Sequence, residues 1–583
     1  MLPKVRAIAL YLLTLSLNLI ASDAYIRNAK PPTDGRVGSN YTPSYASSPI
    51  QFWKDFRPEV VAKELKAARK NFGASMLRVY VNTTNYFEDR SNFFKNLESF
   101  ITIADNAGIK PGIVFFSGDH RAIDIDAEKS TQKNQVFKAT AITINGPFEP
   151  KPGHHNGRWP SCPQEHEWNK KNPDDFSKFK PYIQDIIGKY KTDQRILFWE
   201  IHNEPAHGDK RRDSLKRAGY SWAKELKPVQ PVLNCEHNGG WGDTDVTDVI
   251  SSHMYNCVWN IWNKFADDGL KEGNYKGTVF TEAGARWKAT RRNHAGPTDV
   301  MQWLKVHRKK QNKPIPGVML TWELNVGNSN CRWHWVDNGW KTGKPDAEPE
   351  IPWCGLQWPN GDPVSLAEAE IIRKHASGKW NAVFYDDFQE GPKQWKFYGT
   401  KGARVHHCLY LNHSWKAVAG DKNWKDYIVE ARILFKRKWL RKNEKRNDYS
   451  KIEGKAKAGI YFRVNKPGNN FNEITAYYAY HDGTTLTLAK YLAGQYKELA
   501  TYDLKKNGIQ ARHMEWSLIR IEAIGPKIKV YFNRFHGDKD KGLRIEYTDK
   551  EQPILNGAIG LGSYKTDGLY DNLVVIPKSK DTQ

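Results

Sequence analysis

Three things are scarce in this chain. Cysteine is the first, with six residues among 583: Cys162, Cys235, Cys257, Cys331, Cys354 and Cys408. Their spacing matches no zinc motif, which leaves disulfides or buried thiols as their use. Cys331 and Cys354 flank a Trp-rich stretch and are the first pair expected; Cys235 and Cys257 follow neighbouring strand-like runs and are either paired or simply buried. Long apolar runs are also missing. Beyond the N-terminus no segment approaches the ~18 uninterrupted apolar residues that a spanning helix needs, so no membrane span is expected. Acidic residues are the third shortage: 65 Asp and Glu stand against 89 Lys and Arg, a formal charge of +24. Such a field favours polyanions, whether nucleic acid, acidic polysaccharide or an anionic surface. No nucleic-acid module, internal repeat or long low-complexity segment appears. The densest basic run, Lys436 to Arg446, reads as a solvated loop between two strands.

The N-terminus carries an address. Lys4 and Arg6 precede an apolar run from Ala7 to Ile20, and Ala21, Ser22 and Ala24 offer a cleavage site. Residues 1–24 therefore read as an export signal, which predicts a secreted protein, extracellular or periplasmic, and argues against a nucleic-acid partner. Aromatic residues are plentiful, with 22 Trp, 27 Tyr and 24 Phe. Their faces stack on the C–H faces of sugar rings, and equally well fill cores. Asn-X-Ser/Thr sites at Asn40, Asn82 and Asn412 carry glycans only in an organism that makes them.

From about Arg36 to Lys374, strand-like runs alternate with helix-like ones. The strands are expected at Val37–Thr42, Met76–Asn82, Pro111–Phe116, Ile196–Ile201, Pro231–Cys235, Val249–Met254, Thr278–Thr281 and Gly317–Trp322. Apolar residues at helical spacing fill Pro58–Asn71, Asn92–Ala107, Phe176–Tyr190, Arg212–Leu226, Thr298–Lys309 and Leu366–His375. The fifth helix is poorly signalled, and the largest insertions follow strands three and eight. That rhythm predicts an α/β domain, a (β/α)8 TIM barrel over residues 25–378. After Lys379 helical periodicity stops. Alternating runs at Tyr427–Leu434, Gly459–Val464, Ile474–Tyr480, Leu486–Leu492, Trp516–Ala523, Ile528–Phe532 and Gly557–Gly562 predict an all-β sandwich over 379–583.

Two strand ends carry carboxyls. Phe198-Trp199-Glu200-Ile201-His202-Asn203-Glu204-Pro205 closes the fourth strand, and Thr278-Val279-Phe280-Thr281-Glu282-Ala283-Gly284 the seventh. The C-terminal ends of barrel strands project into the active-site mouth, and Pro205 halts its strand because it has no N–H for the ladder. A pair of facing carboxyls is what retaining glycoside hydrolysis requires: one protonates the leaving oxygen and the other attacks the sugar carbon. Alternation puts Glu200 on the same face as His202 and Glu204. Glu200 and Glu323 are rival carboxyls.

Asn203-Glu204-Pro205 on strand four and Glu282 on strand seven resemble glycoside hydrolase clan A, which includes the cellulase- and mannanase-like family five. The resemblance covers roughly Arg36 to Lys374. It implies Glu204 as acid/base, Glu282 as nucleophile and Asn203 on the sugar 2-hydroxyl. Arg78, in Leu77-Arg78-Val79-Tyr80, resembles the arginine that keeps the nucleophile ionised. His253 and Tyr255, in Ser252-His253-Met254-Tyr255-Asn256, resemble the sixth-strand pair whose Tyr bonds the nucleophile, and Trp322 resembles the Trp that floors the first sugar subsite. His120 is the candidate for the His near the end of strand three. Pro152 to Trp159 resembles a segment of bacterial cellulase-like proteins. The C-terminal region resembles the concanavalin-like or laminin-G-like sandwich, through Phe384-Tyr385-Asp386-Asp387-Phe388 and Gly557 to Gly562 with Tyr570-Asp571-Asn572-Leu573. Its two ends should pair in one sheet, and relatives of this kind often bind carbohydrate.

Each site residue has a bland alternative, a salt bridge or packing role at a strand end. No metal and no cofactor are expected: His154, His155 and His120 have no ligand spacing and read, with Trp159, as lining of a sugar cleft. Trp333, Trp335, Trp340, Trp353 and Trp358 serve either as stacking subsites or as a packed cap. The leading expectation is a hydrolase of a β-linked glycan, with an anionic polymer favoured by the charge. Its rivals are a carbohydrate-binding protein on a decayed hydrolase scaffold, and a transglycosylase using the same residues.

Overall fold

Eight short runs, most of them rich in Val, Ile, Leu, Phe or Trp, are buried almost throughout, the pattern of parallel strands covered on two sides. In the computed structural model these are β1 (Val37–Asn40), β2 (Met76–Tyr80), β3 (Lys110–Ser117), β4 (Phe198–Asn203), β5 (Val232–Glu236), β6 (Ile250–Met254), β7 (Thr278–Ala283) and β8 (Gly317–Leu320). The structure describes residues 35–578 apart from 118–160, 170, 173, 206–209, 237–243, 256–258, 272–277, 287–295, 329–350, 399–402, 406, 412–414, 437–455, 470–472, 510–514 and 536. The expected export signal lies outside the described residues. The strands pair in chain order and in parallel, and β1 closes on β8 with Val37 opposite Val318. This is the closed (β/α)8 barrel that the alternating runs implied.

The barrel is filled by a plug of Met76, Phe198, Leu233, Val249, Val279 and Met319, from or beside six different strands. Small residues make room for the large ones. A Cβ on Gly112 would lie 2.1 Å from the Phe198 ring, and one on Gly38 would lie 2.0 Å from the Met76 carbonyl oxygen. A separate cluster, with Leu77, Val79, Ile113, Phe115, Trp199 and Phe280 from the strands, packs the outer faces against Leu65, Leu97 and Ile183 of the helices. Toward the C-terminal ends of the strands the buried residues turn polar: Asn40, Arg78, Glu200, His253 and Glu282.

All six expected helices form, at Pro58–Phe72, Arg90–Asn106, Lys180–Tyr190, Lys210–Glu225, Pro297–Trp303 and Leu366–Ser377. The fifth of them continues as a π-helix over Leu304–Lys309. Between β5 and β6 the described residues hold only a 3-10 turn, Thr244–Val246, in keeping with the poor helical signal there. The sequence reading missed Pro49–Lys54, Thr83–Glu88 and Trp259–Lys271. The first two are six residues each, too short to show a period. The third buries Trp262, Phe265 and Ala266, a spacing that was visible in the sequence. Asn40 and Asn82 cannot be glycan acceptors in the folded chain. Both are buried; Asn40 accepts from Arg78, and Asn82 caps the helix Thr83–Glu88.

The helix Leu366–Ser377 ends on Gly378 at a φ of 71°, and β9 (Phe384–Asp386) opens the second unit. One sheet runs β10 (Lys396–Tyr398), β13 (Trp415–Ala419), β22 (Ala558–Tyr564), β15 (Lys457–Lys466), β16 (Thr475–His481), β17 (Thr485–Leu492), β18 (Gln495–Asp503). The other runs β11 (Ala403–Val405), β12 (Cys408–Leu411), β23 (Asp567–Pro577), β14 (Tyr427–Lys436), β19 (Trp516–Ile524), β20 (Lys527–Phe532), β21 (Leu543–Thr548). Both are antiparallel and enclose one apolar core between them. The two ends of the unit meet as expected, with Asp386 of β9 opposite Leu573 of β23. The edge strands β18 and β21 escaped the sequence reading because they are mostly solvated and lack a clean apolar alternation.

Candidate active site

Arg78 sits at the centre of the polar layer and is fully buried. Its Nε donates to Glu200 Oε2 at 2.8 Å, and its Nη2 donates to Glu200 Oε1 and Asn203 Oδ1. Its Nη1 donates to Asn40 Oδ1 at 2.9 Å and to Glu282 Oε1 at 2.8 Å. One guanidinium thus joins β1, β2, β4 and β7, which its planar fork of donors permits. Glu282 also accepts from Tyr255 Oη at 2.6 Å through Oε2. His253 Nδ1 lies 3.3 Å from that same Oε2 and forms a short hydrogen bond to Glu204 Oε1. Single oxygens of Glu204 and Glu282, with one nitrogen of His253, all fall within 4.8 Å of one another.

Local backbone geometry aims these groups. Glu204 holds a φ of 40°, a left-handed conformation that a non-glycine residue adopts at a cost of about 1–3 kcal/mol. Pro205 follows it, and the Glu204 N–H is fixed on the Cys235 carbonyl at 2.9 Å. The β4–β5 register shifts between Glu200 and Asn203. That shift corrects the simple alternation expected for β4. Glu200 and Asn203 both reach Arg78, whereas His202 packs beside Phe116 with its Nδ1 on the Asn203 carbonyl. Burial, then Arg212 and Lys216, push the His202 pKa down to about 3, so it is neutral.

The electrostatics of Glu282 differ from the expectation that Arg78 would hold its pKa low. Burial is the largest influence and raises it; His253, Arg78 and the Tyr255 hydrogen bond lower it, Glu204 raises it, and the carboxyl is pushed up to about 7. The reason is visible in the geometry. Arg78 also pairs bidentately with Glu200, so its single charge serves two buried carboxylates. Burial opposes charge on His253, but Cys235, Glu282 and Glu204 outweigh it and lift the imidazole well above its ordinary range.

Glu200 is held against Arg78, inside the barrel, and Glu323 is turned away to accept from the Thr42 N–H at 3.0 Å. Burial pushes the Glu323 carboxyl well up. Glu204, His253 and Glu282 are close enough to share one cation, but Arg78 already occupies Glu282 Oε1, and its charge would repel an ion there. Asn203 Nδ2 is buried with no hydrogen-bond partner. Trp322 is half-buried beside Tyr80, with ring centroids 6.0 Å apart. His120 and Trp159 lie outside the described residues, as do His154, His155, Trp333, Trp335 and Trp340.

One contributor was overlooked. Tyr80 Oη accepts from Arg78 at 2.7 Å and lies 3.4 Å from Glu282 Oε1; period-two alternation from Arg78 was the available signal. Trp353 stacks on Tyr255, with centroids 6.3 Å apart at 21°. Trp353 and Trp358 are both buried, which makes these two part of a packed cap. Cys354 packs with Ala285 and Trp353. Burial pushes its thiol up to about 12; Cys331, its expected partner, lies outside the described residues.

No family model matches this chain, and no curated protein matches it. Among solved structures it is similar to a GH5_18 protein of Streptomyces cattleya in complex with GlcNAc, at 15% identity over 59% of this chain and 81% of that one, TM-score 0.39. It is also similar to the endo-β-1,4-mannanase of Thermotoga petrophila, at 13% identity over 85% and 97% of the two chains, TM-score 0.36. A further similarity is to the carbohydrate-binding module CBM66 of Bacillus subtilis, at 16% identity over 31% of this chain and 95% of that one, TM-score 0.24.

Proposed function

We propose that this chain is a retaining glycoside hydrolase acting on a β-linked glycan, with Glu204 as acid/base and Glu282 as nucleophile. The observation that carries the reading is the carboxyl separation: oxygens of the two residues lie within 4.8 Å. Retention uses carboxyls about 5–5.5 Å apart, whereas inversion needs about 6.5–9.5 Å to admit a water.

The roles follow from who bonds whom. Two carboxyls this close do not both ionise freely. Arg78 and Tyr255 direct an N–H and an O–H at Glu282, which stabilises its carboxylate. Glu282 then attacks the anomeric carbon as the bond to the leaving oxygen breaks, and Glu204 gives that oxygen its proton. In the second step water attacks the same carbon. Glu204 takes the proton from water, and the bond to Glu282 breaks to restore its carboxylate. Asn203 Nδ2, buried and unpartnered, is a donor suited to a sugar hydroxyl.

The charge of +24 favours an anionic glycan, and the basic-then-apolar N-terminus supports action outside the cytoplasm. Among the described residues no helix is long and apolar enough to cross a membrane. The test is a panel of neutral and acidic polysaccharides, incubated with the native protein and with Glu204→Gln and Glu282→Gln. Sugar release by the native protein alone is expected. Binding without release by all three proteins would instead favour the decayed-scaffold reading.

A further inference from the structure

The barrel and the sandwich meet at the start of the barrel's last helix. Glu430, fully buried in β14, reaches out of the sandwich. Its Oε1 accepts from Ser365 Oγ at 2.9 Å and from the Leu366 N–H at 2.7 Å. It thereby caps the helix Leu366–Ser377, whose first N–H groups have no partner within the helix and whose N-terminus favours negative charge. The β14–β23 register shifts between Glu430 and Arg432, a bulge of the kind that re-aims a side chain. Arg520 balances the charge, its Nη2 lying 2.7 Å from Glu430 Oε2.

The same helix turn faces the reaction centre. Glu368 accepts from Arg286 Nε at 2.8 Å, and Arg286 Nη2 also reaches it. Arg286 stands four residues after Glu282. It donates to the Pro352 carbonyl from Nη1 and to the Trp353 carbonyl from its backbone N–H, both at 2.9 Å. Trp353 stacks on Tyr255, and Tyr255 donates to Glu282.

We infer that Glu430 of the sandwich is a positioning residue for Glu282, acting through the helix Leu366–Ser377, Glu368, Arg286, Trp353 and Tyr255. The sandwich is then a structural part of the active site, whatever else it binds. This rests on the reading of Glu282 as the nucleophile, and it goes beyond that reading by giving the second domain a role in the first domain's chemistry.

Direction separates positioning from simple electrostatics. Deleting a distant carboxylate removes negative charge and, through space, lowers a carboxyl pKa. Loosening the Tyr255 hydrogen bond raises it. Glu282 also feels Arg78 and Tyr80 from β2, Glu204 after β4, His253 from β6, and Glu323 and Cys354 after β8; Glu430 bonds to Ser365, Leu366 and Arg520 and to none of these. The experiment compares Glu430→Ala with the full native chain. First, the acidic limb of kcat/KM should move to higher pH and kcat should fall with KM little changed. Second, a measure free of turnover is available: the pH at which the melting temperatures of a protein and its Glu282→Gln counterpart diverge reports Glu282 ionisation. That pH should also rise in the Glu430→Ala background. Glu430→Gln keeps the volume and one acceptor oxygen, and should shift both readouts the same way by less; it carries the test if Glu430→Ala does not fold. An unchanged or lowered pH of divergence in a folded variant overturns the inference. A raised pH of divergence in a protein that cleaves no glycan supports the inference and rejects the hydrolase reading instead.

Discussion

Replacing Tyr255 with Phe deletes one oxygen and with it the 2.6 Å hydrogen bond to Glu282 Oε2. A hydrogen bond to a charged acceptor contributes about 1.5–3 kcal/mol, and one pKa unit corresponds to about 1.4 kcal/mol. The Glu282 carboxyl, already pushed up to about 7, should rise by about one to two units more. Arg78 and His253 remain in place beside it, so the lower figure is expected. The sign is set by chemistry: the nucleophile attacks as a carboxylate, so activity grows as pH rises through the Glu282 pKa. The acidic limb of kcat/KM should therefore move from about 7 to about 8, and activity at pH 7 should fall about five-fold as the ionised fraction drops from about a half to about a tenth. Most of the loss should return at high pH. The assay is kcat/KM against pH on an activated aryl glycoside, whose leaving group needs little protonation. A loss of equal size at every pH, or an acidic limb that stays where it was, would refute the assignment of Tyr255 and Glu282 to this hydrogen-bonded role.

Further outcomes can be checked separately. Glu204→Gln should cut turnover of an unactivated glycan by about 10²–10⁴-fold, the usual worth of general acid–base catalysis, while first-step cleavage of an activated aryl glycoside falls far less; equal losses on both substrates would count against the acid/base role. Glu64 is buried and pushed from 4.5 up to about 7. Its unfolded form releases a proton that the folded form keeps, so its contribution makes stability fall as pH rises from about 4.5 to about 7, by about 3 kcal/mol, and level off above. Urea midpoints across that window should vary less for Glu64→Gln than for the native chain. Gly38→Ala should destabilise the barrel by more than the ~1–3 kcal/mol of ordinary overpacking, because the Met76 carbonyl that its Cβ meets is backbone and cannot move aside; a native melting temperature would show that the β1–β2 contact is looser than described.

Much of the barrel could be read from residue order because the forces that form its elements are local. Runs such as Pro111–Phe116, and Ile196–Ile201 apart from Glu200, are apolar on both faces, and the helices between them repeat at their own period. The carboxyls were legible too, since Glu204 before Pro205 and Glu282 before Ala283-Gly284 stand at the C-terminal ends of barrel strands. Edge strands were not, because β18 buries little and so shows no alternation. The facing of His202 was misjudged because a register shift in β4 interrupts alternation, and nothing in Phe198 to Pro205 announces it.

What residue order determined by itself was therefore the class of architecture and the identity of the charged groups at the strand ends. Tertiary structure decided what those groups are worth. Arg78 and Glu282 are 204 residues apart in the chain, and only barrel closure brings them into contact. Whether Arg78 or burial governs Glu282 depends on how much water is excluded and on Glu200 claiming the same guanidinium. The tie from Glu430 to the barrel likewise joins residues 64 apart. Electrostatic energies scale with distance and solvent exclusion, and both are properties of the folded chain rather than of any segment within it.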